Sequence, residues 1–208
     1  MVEFEKKCIL TKMEYEKLCS VYSKCKEYTQ INYYYDTDDG AYNKKGITCR
    51  IRKKGNRYKA TIKNHNIDKS FCSVEKSVSA KDKFDDKLFK DLGVTLQGDL
   101  TTERKEIDTG YGVTIFLDKN TYIGTIDYEL EIEFPANKES LCNDTLSSIA
   151  MNLGPKIELV PVNKFSKEET SYKIKSTYES RLVDLYERTD KSKSKAQRFF
   201  DSKAMFRN

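Results

Sequence analysis

Val2-Glu3-Phe4-Glu5-Lys6-Lys7-Cys8 is the stretch that decides how this chain is read. Glu3, Glu5 and Lys7 alternate with Val2, Phe4 and Cys8. A period of two predicts a strand with ionic groups on one face and mostly apolar groups on the other. The alternation returns at residues 127–134, where Asp127, Glu129, Glu131 and Glu133 share one face and Tyr128, Leu130, Ile132 and Phe134 the other. Arg50 and Arg52 flank Ile51 in a third instance. A face dense in charges of both signs, backed by an apolar face, is what a water-filled polyanion site with metal ions requires.

Outward from that strand, Thr11-Lys12-Met13-Glu14 is a capping box and predicts a helix running to about residue 28. Residues 32–36 form a tyrosine-rich strand, and Asp38-Asp39-Gly40 a turn. Residues 47–53 and 57–63 are two strands joined by Lys54-Gly55-Asn56, a hairpin signal. Residues 71–78 are a further strand. Ser79 is expected to start a second helix that Gly93 ends. Strands follow at 102–107, 113–118 and 127–134, then a third helix over 138–153, closed by Gly154-Pro155. Residues 157–160 are a short apolar strand. From Ser171 onward the chain reads as helical and charged, fading into a lysine–serine alternation at 191–195 that suggests a flexible tail. Eight or nine strands with few connections suited to parallel crossovers predict an α+β fold: an eight-stranded antiparallel sheet closed into a β barrel or tunnel, with helices flanking it. Such a barrel holds side chains or one small ligand.

Each strand alone would fit an ordinary half-solvated sheet. Together they do not. Lys59, Thr61 and Lys63 share a face, Glu75 lies with Ser73 and Ser77, Arg104 with Glu106, and Asp118 with Thr114 and Phe116. Acids collect on the first and last strands and bases on the middle ones. Dry burial of such groups costs several kcal/mol per ion unless they are paired. A hydrated bore avoids much of that cost, and a polyphosphate with divalent cations supplies partners for both signs. Mg2+ and Mn2+ take carboxylate and water oxygens alongside substrate phosphates. Arginine and lysine match phosphate oxygens. Phosphoryl transfer needs chiefly positioning and charge neutralisation. No Ser-His-Asp or Cys-His arrangement competes.

The bulk figures exclude other classes. The chain has 208 residues, 34% of them charged, with 38 basic against 33 acidic and a net charge of +5. That balance is too mild for a general nucleic-acid binder. No run approaches the ~20 apolar residues of a membrane span, and no secretory leader is evident. The six cysteines form no CxxC pair, which argues against zinc; free thiols fit a cytoplasmic protein. His65 is read as a loop residue, and Tyr33-Tyr34-Tyr35 as strand packing rather than a base-stacking rim.

The motifs resemble the CYTH superfamily, the triphosphate tunnel metalloenzymes, and most of all its small uncharacterised bacterial members. Glu3-x-Glu5-x-Lys7 is similar to the family's ExExK signature. Tyr34-Tyr35-Asp36-Thr37 and Gly46-Ile47-Thr48-Cys49-Arg50-Ile51-Arg52 resemble its aromatic-Asp-Thr turn and RxR strand, and Lys63 ends a segment like LTLK. Thr102-Glu103-Arg104, Leu117-Asp118 and Tyr128-Glu129-Leu130-Glu131 follow in the family's order, and Asn163-Lys164-x-Ser166-Lys167 resembles its C-terminal basic element. The resemblance covers about residues 1–175 and leaves 176–208 as a charged helical extension, whose Leu182, Leu185 and Tyr186 could dock on the tunnel mouth or on a second copy. It implies metal binding by Glu3, Glu5, Asp118, Glu129 and Glu131. It implies phosphate binding by Lys7, Arg50, Arg52, Lys63, Arg104 and Lys164, with Lys59 matched by parity. Lys7, Arg52 and Glu131 are the expected catalytic residues.

The implied activity is Mg2+- or Mn2+-dependent hydrolysis of a triphosphate, first of all inorganic triphosphate. Thiamine triphosphatase, class IV-type adenylate cyclase and a non-catalytic polyphosphate- or nucleotide-binding module are the alternatives. The histidine-containing HFF-type signature of some such cyclases is missing; Tyr33-Tyr34-Tyr35 stands nearest its place. The expected partner is a triphosphate-bearing small molecule such as inorganic triphosphate, thiamine triphosphate or ATP, with no nucleic acid or membrane, bound by a monomer or homodimer.

Overall fold

The N-terminal strand, β1 (Val2–Leu10), is hydrogen-bonded on both sides, and that closes the sheet. A computed structural model describes residues 2–65, 72–162 and 171–205. After β1 come α1 (Lys12–Val21), β2 (Lys26–Asp36), a single helical turn α2 (Ala41–Lys44), β3 (Ile47–Lys54), β4 (Arg57–Asn64), β5 (Cys72–Ala80), β6 (Thr95–Asp108), β7 (Thr114–Tyr122) and β8 (Thr125–Phe134). Then follow α3 (Glu139–Leu153), β9 (Lys156–Val162), β10 (Ser171–Thr177), α4 (Tyr178–Asp190) and α5 (Lys195–Met205). The barrel order is β1-β5-β4-β3-β2-β6-β7-β8, every pairing antiparallel, while β9 and β10 form a separate two-stranded sheet.

Side-chain parity does the sorting. Cys8 and Leu10 of β1, Ile115 and Leu117 of β7, and Leu130, Ile132 and Phe134 of β8 face outward. They meet Leu18 of α1, Cys142, Leu146, Ile149 and Leu153 of α3, and Leu185 of α4 in one buried cluster. A smaller outer cluster gathers Tyr35, Cys49, Ile51 and Ala60 around Phe89. The alternate residues of the same strands point into the bore. Closure gives every barrel strand two neighbours, though β1 meets β5 through only three residue pairs, Val2–Phe4 with Cys72–Val74.

Four local expectations are corrected. The first helix stops at Val21 rather than near residue 28, because Lys26–Thr29 pair with Glu103–Glu106 and lengthen β2 to 11 residues. No α-helix forms over 79–93; Ser79 and Ala80 stay in β5, opposite Lys59 and Tyr58, and only a 3-10 turn at Lys90–Leu92 follows. Ladder pairing there outcompetes a capping signal, since residues 83–87 carry no apolar stripe to bury. Residues 171–177 are a strand, not a helix, paired with 156–162; their sequence alternates with period two. The lysine–serine stretch is not a free tail, because Lys195 is buried and begins α5.

α4 is anchored firmly. Arg181 donates to Glu14 (2.7 Å), and Arg188 donates to both Glu14 oxygens (3.0 and 3.1 Å) and to the Ile9 carbonyl (2.9 Å). Lys156 donates to Asp184 at 2.8 Å. Leu185, fully buried, joins the main core.

Candidate functional site

The bore is lined by the residues that the parity rule turns inward. Glu3, Glu5, Lys7, Arg50, Arg52, Lys63, Arg104, Glu131 and Glu133 surround one cavity, together with Tyr34, Thr48 and His65. β1 and β8 bring their acids together by register, with Glu5 opposite Glu133 and Lys7 opposite Glu131. β7 sets Asp118 opposite both Arg104 and Glu129.

The opposite charges pair across the bore. Arg104 donates to both Asp118 oxygens at 2.7 and 2.6 Å and also bonds Glu131. Lys63 donates to Glu3 (3.0 Å) and Glu5 (3.2 Å), and Lys7 to Glu5 (2.6 Å). Arg50 lies 3.8 Å from Glu75, and Arg52 donates to Asn32 at 2.8 Å. Lys59 reaches Glu75 at 3.1 Å but is largely exposed. It stands with Tyr28, Lys54 and Tyr58 around a wide mouth of about 820 Å3 at the Tyr28 end of β2. Lys164 lies outside the described residues, as does Phe71, where the fifth strand was expected to begin.

The electrostatics follow from burial and neighbours. Burial opposes ionisation of Glu131, but Lys195, Arg104 and Lys7 outweigh it and hold the carboxyl far below its ordinary range. Glu5 is likewise driven down against its burial, by Lys7 and Lys63. Glu75 falls to about 2, because the Ser77 hydroxyl, Arg50 and Lys59 outweigh burial. Glu133 goes the other way: burial and then the Glu131 charge push it up to about 7. Arg52, buried and facing Arg50 and Arg104, is lowered to about 10. His65 is a loop residue by backbone, as expected, yet its ring lines the cavity; burial and then Lys63 and Lys7 bring it down to about 4, so it is neutral at pH 7.

Among the described residues, two groups of acids could hold a metal ion. Ligand oxygens of Glu5, Glu131 and Glu133 lie within 4.8 Å of one another, and so do those of Asp118, Glu129 and Glu131. All-oxygen carboxylate sets suit Mg2+ or Mn2+. The second group already draws a cation of this chain: Lys195 of α5 lies 2.9 Å from Asp118 and 2.7 Å from Glu131, and pairs also with Glu129. Among the described residues, buried Arg50 Nε, Gln30 Nε2 and the Tyr34 hydroxyl have no hydrogen-bond partner. The first two are donors that an anionic ligand in the bore would satisfy.

Of the expected site residues, Glu3, Glu5, Lys7, Arg50, Arg52, Lys63, Arg104, Asp118, Glu129 and Glu131 all point into the bore, and Lys59 stands at its mouth. The sequence reading did not select Glu133, Lys195 or Arg198. Glu133 shares the parity of Glu129 and Glu131, which was signal enough. Lys195 and Arg198 follow a second capping box: the Gln197 amide donates to the Ser194 hydroxyl oxygen (3.2 Å) while the Ser194 amide donates to the Gln197 side chain (2.9 Å). Ser-x-x-Gln predicts a helix start at that point. Arg198 donates to Asp127 (2.9 Å) and Glu129 (3.0 Å).

The class this architecture defines is a closed antiparallel barrel with acidic and basic walls facing each other across its bore. Residues 1–151 match the family model described as the CYTH domain, and the chain belongs to that family. It is 30% identical over 148 residues to a Bacillus subtilis (strain 168) protein named "Putative triphosphatase YjbK", covering 64% of this chain and 77% of that one. A Bacillus halodurans structure described as a "putative adenylate cyclase" superposes with a TM-score of 0.58 at 22% identity, over 78% of this chain and 94% of its own. A Hippeastrum "putative adenylyl cyclase", said to reveal a dominant triphosphatase activity, gives 0.52 at 15% identity over 71% and 87%. At these identities the structural likeness carries the fold alone.

Proposed function

We propose that this chain is a divalent-metal-dependent hydrolase of a triphosphate, with inorganic triphosphate as the first substrate. The observation that carries this reading is the meeting of two linings in one bore. Arg50, Arg52, Lys63 and Arg104 face Glu5, Glu131 and Glu133, and Asp118 and Glu129 extend the acids along it. The family membership and the triphosphatase name of the Bacillus subtilis relative support it.

The residues divide the work by charge. Arg50, Arg52, Lys63 and Arg104 bind phosphate oxygens and neutralise charge that develops on the transferred group. Lys63 and Arg104 would exchange carboxylate partners for phosphate ones in doing so, and the unpartnered Arg50 Nε would gain one. Glu3, Glu5, Glu131 and Glu133 would hold one metal ion, and Asp118 and Glu129 with Glu131 a second. When bound, the metal supplies a Lewis acid that orients phosphate and water. Lys7, 2.6 Å from Glu5, sits where it can orient the attacking water or a terminal phosphate oxygen. The barrel walls keep bulk water from those charges, which strengthens each contact.

The same reading takes 1–175 as the tunnel domain and 176–208 as an extension. It places the chain in the cytoplasm on the strength of its six free cysteines. A phosphate-release panel tests the activity: triphosphate, pyrophosphate, thiamine triphosphate and ATP, each with Mg2+ and with Mn2+. Triphosphate should be cleaved fastest, and Glu5→Gln and Glu131→Gln should each abolish turnover. Full activity in both variants refutes the assignment, and cyclic AMP formed from ATP as the main product overturns hydrolysis.

A further inference from the structure

The fold places one amine where three acids of the bore converge. Lys195, 7% exposed, pairs with Asp118, Glu129 and Glu131 at once. These three carboxylates are one of the two groups whose oxygens converge closely enough for a metal ion. An ammonium with three donors can satisfy them. A divalent cation would sit at about 2.1 Å from the same oxygens, and Nζ cannot occupy that point as well. Lysine and metal are therefore alternatives at this cluster.

The rest of α5 fits the bore as a stopper. Phe199 is buried against Tyr34, ring centroids 5.1 Å apart, and near Tyr122 at 6.4 Å. Gly98 makes room for it, since a Cβ there would stand 2.7 Å from the Phe199 ring. With the helix seated, Ser194, Lys195 and Ala196 form part of the wall of a cavity of about 70 Å3, and Ser194 and Gln197 also line an adjoining one of about 220 Å3 that shares Glu5 and Lys7. Only residues 191–194 connect α5 to the anchored α4.

We propose that α5 is a reversible plug, and that Lys195 is a built-in counter-ion which must leave Asp118, Glu129 and Glu131 before a divalent cation binds there. The proposal rests on the reading above that this cluster is a metal site. It makes the chain cation-gated: the seated state is stable without metal, and a divalent cation that takes the cluster displaces the helix. A site that is open only a fraction of the time binds with an affinity reduced by that fraction, so a plug seated 90–99% of the time weakens metal binding about 10- to 100-fold.

The test is Mn2+ binding to full-length protein without substrate, read by the EPR signal of free Mn2+, beside amide hydrogen exchange over 195–205. Wild type is compared with Lys195→Met, which removes the competing charge, and with Phe199→Ala, which loosens the helix without touching an acid. Both variants should bind Mn2+ about tenfold or more tightly, and Mn2+ should raise α5 exchange in wild type. Phe199→Ala keeps the test valid should Lys195→Met fail to fold. Unchanged affinity in Phe199→Ala together with unchanged α5 exchange overturns the plug, whatever Lys195→Met does, and leaves the metal site standing. No Mn2+ binding even in Phe199→Ala overturns the plug and the metal site together.

Discussion

Glu133→Gln in the metal-free protein should remove a pH-dependent cost of folding. Burial and the neighbouring Glu131 charge raise the Glu133 carboxyl from its ordinary 4.5 to about 7. The native state therefore holds this proton more tightly than the unfolded chain. The associated stability is fully present below pH 4.5, where both states are protonated, and is lost as pH rises through 7. At roughly 1.4 kcal/mol per tenfold in proton affinity, the gap corresponds to about 3 kcal/mol. The amide keeps the shape without the charge. In urea titrations with EDTA, wild type should lose about 3 kcal/mol more than Glu133→Gln between pH 4.5 and pH 8. A stability difference that stays flat over that window would refute the reasoning, because Glu133 would then ionise as readily in the folded protein as in the unfolded chain.

Three further outcomes follow from contacts outside that pair. Arg104→Met leaves Asp118 and Glu131 without their bidentate partner and should cost about 3 kcal/mol in chemical denaturation; triphosphate KM should rise as well. Leu185→Ala empties a fully buried position that joins α4 to the barrel's outer core, and should cost about 3 kcal/mol by the same measurement. Thr11→Ala deletes the hydroxyl that accepts from the Glu14 amide at 3.2 Å. A loss of about 1 kcal/mol is expected from thermal unfolding.

The barrel was legible because its signal is local and repeated. Glu3-Phe4-Glu5, Arg50-Ile51-Arg52 and Glu129-Leu130-Glu131 each show a period of two, and a barrel asks nothing more of a strand than one inward and one outward face. Where a local signal competed with pairing, pairing prevailed. Ser79 looked like a cap, but its ladder partner Lys59 fixed it in β5. The segment 171–177 carried enough lysine to look like solvated helix, while its alternation belonged to β10. In the site, parity grouped the acids and bases by strand face, and the resemblance to the CYTH motifs selected among them. Lys195 did not, because its role depends on a helix folding back on a barrel to which it is joined by sequence only through α4. A capping box at Ser194 marks where that helix starts; nothing nearby marks where it docks.

The Glu14 clasp on Arg181 and Arg188 has a kinetic consequence. With α4 pinned, α5 hangs on four residues, a leash of at most about 14 Å. A helix freed from the bore cannot diffuse away, and it rebinds as an intramolecular ligand at an effective concentration in the millimolar range. Its return is then a first-order event, indifferent to how dilute the protein is.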